Sequence, residues 1–363
     1  MNLELDETQV LLRDTVREFL SAEVPFDRIR ELEREQHWDA ALWKDVCHQG
    51  FLGLPFEEGL GGAGGTLLDV GILVEEFARR AAIVPIVETL VCGRVMAHHA
   101  PAERAAALIA ALLDGSFVPV PAILEAGDRY GEIGVVVSGS GELRGEKRFV
   151  DYGTDATHHL VSAAGAEGPG LYLVDARADG ITARPLHSIG RTPSALVTYD
   201  GVAAERIADR EALPDLIRLG RALAAVQCVG SAQQALDMTV RYASVREQFG
   251  RPIGTFQAVK HHCANMAIRV ASARFLVFEA LEALDQNRAT AAQVALAKAS
   301  ASRMVPDVTM LAHQIHGGNG VIEENDLYFF TLRGKERSLA WGSVDECLAI
   351  ASGSVEGPHE WLC

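Results

Sequence analysis

Arg246-Glu247-Gln248-Phe249-Gly250-Arg251-Pro252-Ile253-Gly254-Thr255-Phe256-Gln257 is the stretch that decides how this sequence is read. Its companion is Gln314-Ile315-His316-Gly317-Gly318-Asn319-Gly320. Arg246 is a forked cation matched to phosphate oxygens. Phe256 and Gln257 open a helical pattern, where unpaired backbone N–H groups favour an anion. In the companion stretch, Gly317, Gly318 and Gly320 let backbone come close to a bound group, and the Gln314 amide can hydrogen-bond it. Taken singly, each stretch reads equally well as a surface cation or a helix end.

Outward from these motifs the helical period dominates. It covers 215–249, 254–286, 289–316 and 345–352, with Asn287-Arg288 where the second and third helices join. Before them, residues 116–210 carry short β-branched runs at 117–120, 134–138, 148–151, 160–162, 170–174 and 195–199. These are punctuated by Gly, Asp and Pro, as in an antiparallel sheet or barrel. The first 115 residues return to helical spacing. Asp6 is an N-cap ahead of Leu11, Leu12, Val16 and Leu20, and further helices are expected over 39–49, 67–80, 87–98 and 102–113. Helices, then strands, then helices make an α+β fold, mainly α, with segregated layers. The expected domains are 1–115, 116–210 and 211–363. The glycine run at 59–65 follows no strand and lacks a Lys-Ser/Thr, so it reads as a tight connection and not a phosphate loop.

Composition narrows the function classes. The chain has 363 residues, 48% hydrophobic and 6% aromatic, enough for a large core. A net charge of −16 argues against nucleic-acid binding. Six cysteines, at 47, 92, 228, 263, 347 and 363, show no CxxC spacing and read as scattered thiols in a reducing compartment. His261-His262 lacks a third ligand at metal spacing, so no metal site is expected. His98-His99 carries little information, and Lys260 and Arg269 read as helix decoration. The acidic N-terminus has no signal pattern, and no apolar stretch reads as a membrane span; the expectation is a cytoplasmic protein.

Together, in this order and about 60 residues apart, the two motifs resemble the acyl-CoA dehydrogenase family over essentially the whole chain. The resemblance implies an N-terminal helical domain, a middle β-barrel-like domain and a C-terminal four-helix bundle with FAD-binding and oligomerisation segments. It implies α,β-dehydrogenation of an acyl-CoA thioester, in which a carboxylate takes the α-proton and FAD takes the hydride. Arg246, Phe249 (near the adenine), Phe256, Gln257, Gln314, Gly317, Gly318 and Gly342 are the cofactor residues so implied. Those of the paired motifs would serve FAD held mainly by a neighbouring subunit.

Two parts of the family pattern are missing. The flavin-holding stretch is reduced to Ala122-Ile123-Leu124-Glu125-Ala126-Gly127-Asp128, and Phe149-Val150-Asp151 carries an Asp where a Thr would bond the flavin. The glutamate expected 27 residues after Gln314 is Trp341, and the alternative position, before Arg221, is Gly220. Neither can accept a proton. Asp345 and Glu346 read as solvated helix-start acids. The resemblance is therefore to the non-catalytic subunit of actinobacterial α2β2 steroid side-chain enzymes. Such a subunit would complete the FAD site of a homologous catalytic partner, which holds the acyl-CoA, with an electron-accepting flavoprotein as a further partner. A homotetrameric enzyme with a relocated base and a non-redox scaffold are the alternatives.

Overall fold

The computed structural model describes residues 4–127 and 129–353; Asp128 and Cys363, both invoked above, lie outside them. Six helices come first: α1 (Glu7–Glu23), α2 (Phe26–Glu35), α3 (Ala40–His48), α4 (Leu67–Arg79), α5 (Ile86–His99) and α6 (Ala102–Leu113). Asp6 caps α1 as expected: it accepts from the Gln9 N–H, and the Gln9 side chain returns the bond. The α2 helix was not read from the sequence. Its segment is almost all charge, and only Ile29 and Leu32 supply a buried apolar edge. In the glycine run, Gly61 and Gly64 take φ of 81° and 68°, a tight connection as expected.

Eight strands follow: β1 (Pro119–Ala122), β2 (Val136–Val137), β3 (Glu142–Asp151), β4 (His158–Gly165), β5 (Gly168–Asp175), β6 (Ile181–Leu186), β7 (Ser194–Ala203) and β8 (Glu205–Asp209). They form one sheet in the order β6-β7-β3-β2-β4-β5-β8, with β1 beside β4. The sheet is mixed and not purely antiparallel, because β4 runs parallel to both β1 and β2. Strands β6 and β8 escaped the sequence reading. Each lies at an end of the strand order, and β6 is mostly exposed and contains Pro185, as an edge allows.

The chain then returns to helix: α7 (Ala212–Val245), the hairpin β9 (Glu247–Gln248) and β10 (Arg251–Pro252), α8 (Gln257–Asp285), α9 (Ala291–His316), α10 (Leu327–Leu339) and α11 (Val344–Ser352). Helices α7 to α10 pack into the four-helix bundle and α11 lies on α9. The α7 helix stops at Val245, short of the expected Phe249. Phe249 and Gly250 take φ of 55° and 78°, the paired left-handed residues of a two-residue hairpin turn, and Pro252 keeps Arg251 out of the helix. The α10 helix was missed because two arginines, Arg333 and Arg337, interrupt its apolar stripe; both are buried and ion-paired inside the fold. Asn287, at φ 52°, closes α8 as its residue type suggested. The middle of α7 is buried all round, through Ala222, Leu223, Ala224, Ala225 and Val226, so this helix is the axis of the C-terminal part.

Candidate functional site

Both regions singled out in the sequence lie along α7. Gly220 and Arg246 are separated by roughly 39 Å of helix at 1.5 Å per residue. They differ in every respect.

At the Gly220 end the space directly over the glycine is filled. Trp341 follows α10 in a left-handed conformation, φ 62°, and is 7% exposed. Its indole lies directly over Gly220: a Cβ added there would sit 2.4 Å from Trp341 Cε3. The other side is covered by Tyr130, whose ring stacks at 5.7 Å and 17°. Trp341 N–H donates to the Tyr130 hydroxyl at 2.7 Å, and Arg221 Nε donates to the Trp341 carbonyl at 2.8 Å. Burial pushes the Tyr130 phenol above its ordinary pKa. Lys298, fully buried on α9, donates to Ser302 Oγ, to the Ser338 carbonyl and, at 3.4 Å, to the Gly342 carbonyl. It thereby fixes the turn that carries Trp341. Neither Tyr130 nor Lys298 was found from the sequence. A lysine between Ala295, Ala299 and Ser302 on the buried face of α9 was the available signal for the second.

Glu346 is not the solvated acid expected. Its Oε1 accepts from Arg221 Nη2 at 2.8 Å, and Ser343 Oγ caps α11 by accepting the Glu346 N–H. Its carboxylate is held by a guanidinium and is no free base. The stretch at 122–127 is also committed. Glu125 accepts from Lys147 Nζ at 2.5 Å and from the N–H groups of Gly134 and Val135. Burial lowers the Lys147 pKa to about 8 against the pull of Glu125. Asp151 is 2.6 Å from Arg337, which also lies 3.5 Å from Glu88. Burial raises both carboxyls above the usual range, with Arg337 opposing.

At the Arg246 end the surface is open. Arg246 and Gln257 are exposed on either side of the β9–β10 hairpin, and Phe249 at its tip is 92% exposed. Phe256 meets Phe249 edge-on at 6.0 Å, with the Arg251 guanidinium 4.3 Å over its ring. The second motif arrives beside the first. Tyr242 stacks on His316 at 4.3 Å and 12°, which puts Gln314, Gly317 and Gly318 on the same end of the bundle. A Cβ added at Gly317 or Gly318 would meet nothing within 4 Å. Packing within this chain therefore gives no reason for glycine at 318. Gly342 is not brought to this group; it stays with Trp341, at φ 119°.

These residues divide by what a flavin dinucleotide needs. The exposed cation, aromatic edges, helix start and bare glycines fit the diphosphate and adenosine half of such a group. The residues at the Gly220 end do not fit a flavin ring with its substrate. The Asp151 carboxylate is paired with Arg337, and the Trp341 indole fills the space directly over Gly220.

The chain belongs to the acyl-CoA dehydrogenase family: residues 6–116 match its N-terminal domain and residues 214–340 its C-terminal domain. Among its relatives is the acyl-CoA dehydrogenase IpdE2 of Mycolicibacterium smegmatis, 32% identical over 339 residues, covering 92% of this chain and 95% of that one. Among solved structures, a variant of the Tcur3481–Tcur3483 steroid ACAD is 33% identical with a TM-score of 0.90, covering 96% and 97% of the two chains. The ChsE4–ChsE5 complex of Mycobacterium tuberculosis is 27% identical with a TM-score of 0.91, covering 99% and 100%. No helix among the described residues is long and apolar enough to cross a membrane.

Proposed function

We propose that this chain is the non-catalytic subunit of a heteromeric acyl-CoA dehydrogenase, completing an FAD site on a homologous catalytic partner in an α2β2 tetramer. The observation that carries the reading is Trp341 lying on Gly220. One contact closes both positions at which the family's base is expected. FAD, bound by the partner, would supply the hydride acceptor for α,β-dehydrogenation of the partner's acyl-CoA. From this chain, Arg246 would neutralise the diphosphate, the α8 N-terminus would face it, and Phe249 with Phe256 would offer edges to the adenine. Gln314 would hydrogen-bond the cofactor, with Gly317 and Gly318 admitting it close to backbone. Gly342, with its carbonyl held by Lys298, would keep the closed site rigid.

A steroid side-chain CoA ester is the substrate class we favour for the assembly. Its support is the steroid ACAD and the two-component complex among the similar structures. We also assign the chain to the cytoplasm, on its scattered free thiols, and take an electron-accepting flavoprotein as the partner enzyme's oxidant.

The test is flavin stoichiometry after co-expression with a homologue that carries both the flavin loop and the glutamate. Two FAD per tetramer, and none on this chain alone, is the expected result. Four FAD, or turnover by the lone chain, would overturn the proposal in favour of a homotetramer with a relocated base. Binding of no homologue at all would leave a scaffold.

A further inference from the structure

A cavity lies between the C-terminal end of α5, the first turns of α7 and the turn joining α8 to α9. Its volume is about 220 Å³, below the roughly 300–1,000 Å³ of pockets for drug-sized molecules, so its occupant is small. The floor is apolar, made by Leu67, Val95 and Leu219, all buried. The rim carries two guanidiniums, Arg94 and Arg218, against one carboxylate, Asp215.

The rim's charges are partly satisfied. One Asp215 oxygen lies 2.8 Å from His99 Nε2 and the other accepts from Arg218 Nη2. Arg94 donates to the Pro55 carbonyl and is backed by Asp285 from outside the lining. One donor is left over: Arg218 Nε is buried and has no hydrogen-bond partner among the described residues. A buried donor without an acceptor is costly and rare. Asp215 accepts from Nη2, on the same edge of the guanidinium, with one oxygen only, and the Nε–H beside it is left without an acceptor.

The Nε–H therefore calls for an acceptor, for which a carboxylate makes the stronger hydrogen bond to a guanidinium, and the floor suits an alkyl group. We propose that this cavity binds a short aliphatic carboxylate. The carboxylate would accept from Arg218 Nε, and its tail would lie on Leu67, Val95 and Leu219. The site is about 42 Å along α7 from Arg246, so it stands independently of the cofactor proposal.

Butyrate is the probe, titrated into the full chain by calorimetry and by carboxylate-carbon NMR. Saturable binding is expected, tighter than that of acetate or inorganic phosphate. Arg218→Gln and Arg218→Lys should each weaken it about tenfold or more, the second because lysine keeps the charge but lacks the Nε–H. Leu67→Ala should narrow the preference for butyrate over acetate, which keeps a readout should the Arg218 variants fail to fold. Arg246→Ala should leave butyrate binding unchanged. Equal affinity for phosphate, full affinity in Arg218→Lys, or no saturable binding would each overturn the proposal.

Discussion

The two ends of α7 are built from the same helix and have opposite surfaces. Around the Gly220–Trp341 contact the polar groups are turned on one another: Arg221 to Glu346 and to the Trp341 carbonyl, Lys298 to two further carbonyls, Tyr130 to the Trp341 N–H. Around Arg246, aromatic and cationic groups are left outside, Phe249 almost wholly so. Interior packing explains the Gly220–Trp341 contact without reference to any ligand. It does not explain all of the second end, because a large apolar side chain on a hairpin tip stays in water and the glycine at 318 is required by no contact within this chain. Aromatic groups clustered outside the core, as Phe249 and Phe256 are beside Arg251, mark a candidate contact surface.

The comparison can be broken by substitution. Trp341→Ala should cost the most stability, about 3–5 kcal/mol by urea unfolding, because it empties a buried, stacked site. A loss under about 1 kcal/mol would mean that the indole is loosely held. Next is the pH dependence of Lys147. Its folded-state pKa of about 8 lies below the ordinary lysine value of 10.5, so the unfolded chain binds more protons between those values. Stability of the wild type relative to Lys147→Met should therefore rise through that window, by on the order of 3 kcal/mol. A flat difference would place the ammonium in water.

Gly220→Ala should cost about 1–3 kcal/mol by overpacking. The cost should nearly vanish in a Trp341→Ala background, and additive losses would deny the contact. At the other end, Arg246→Ala should weaken FAD retention in the assembled complex about tenfold, with the melting temperature of this chain alone unmoved. Smallest of all, Phe249→Ala should change stability by less than about 0.5 kcal/mol. A large loss there would make the hairpin a folding element and remove the contrast.

Much of this was legible in the sequence, for reasons that differ by residue. The paired motifs and the layer order could be read because glycine, proline and helical period are local signals. The absence of a base at 341 and 220 could be read by counting. That the two positions touch could not, since α7 and the turn after α10 are joined only by packing. Asp345 and Glu346 were read together as solvated; Arg221, 125 residues earlier, separates Glu346 from that description. His99 looked uninformative until Asp215 met it across 116 residues. Helix α10 and the edge strands β6 and β8 were lost where buried arginines or one-sided pairing erase the apolar pattern.

The seat of Trp341 on Gly220 has a historical consequence. A side chain at 220 would collide with the indole, and removing the indole first would leave a void in the core. Any change to a glutamate at either place must cross a less stable intermediate or alter both positions at once. The present pair is thus held in place by shape, a ratchet whose tooth is a single missing Cβ.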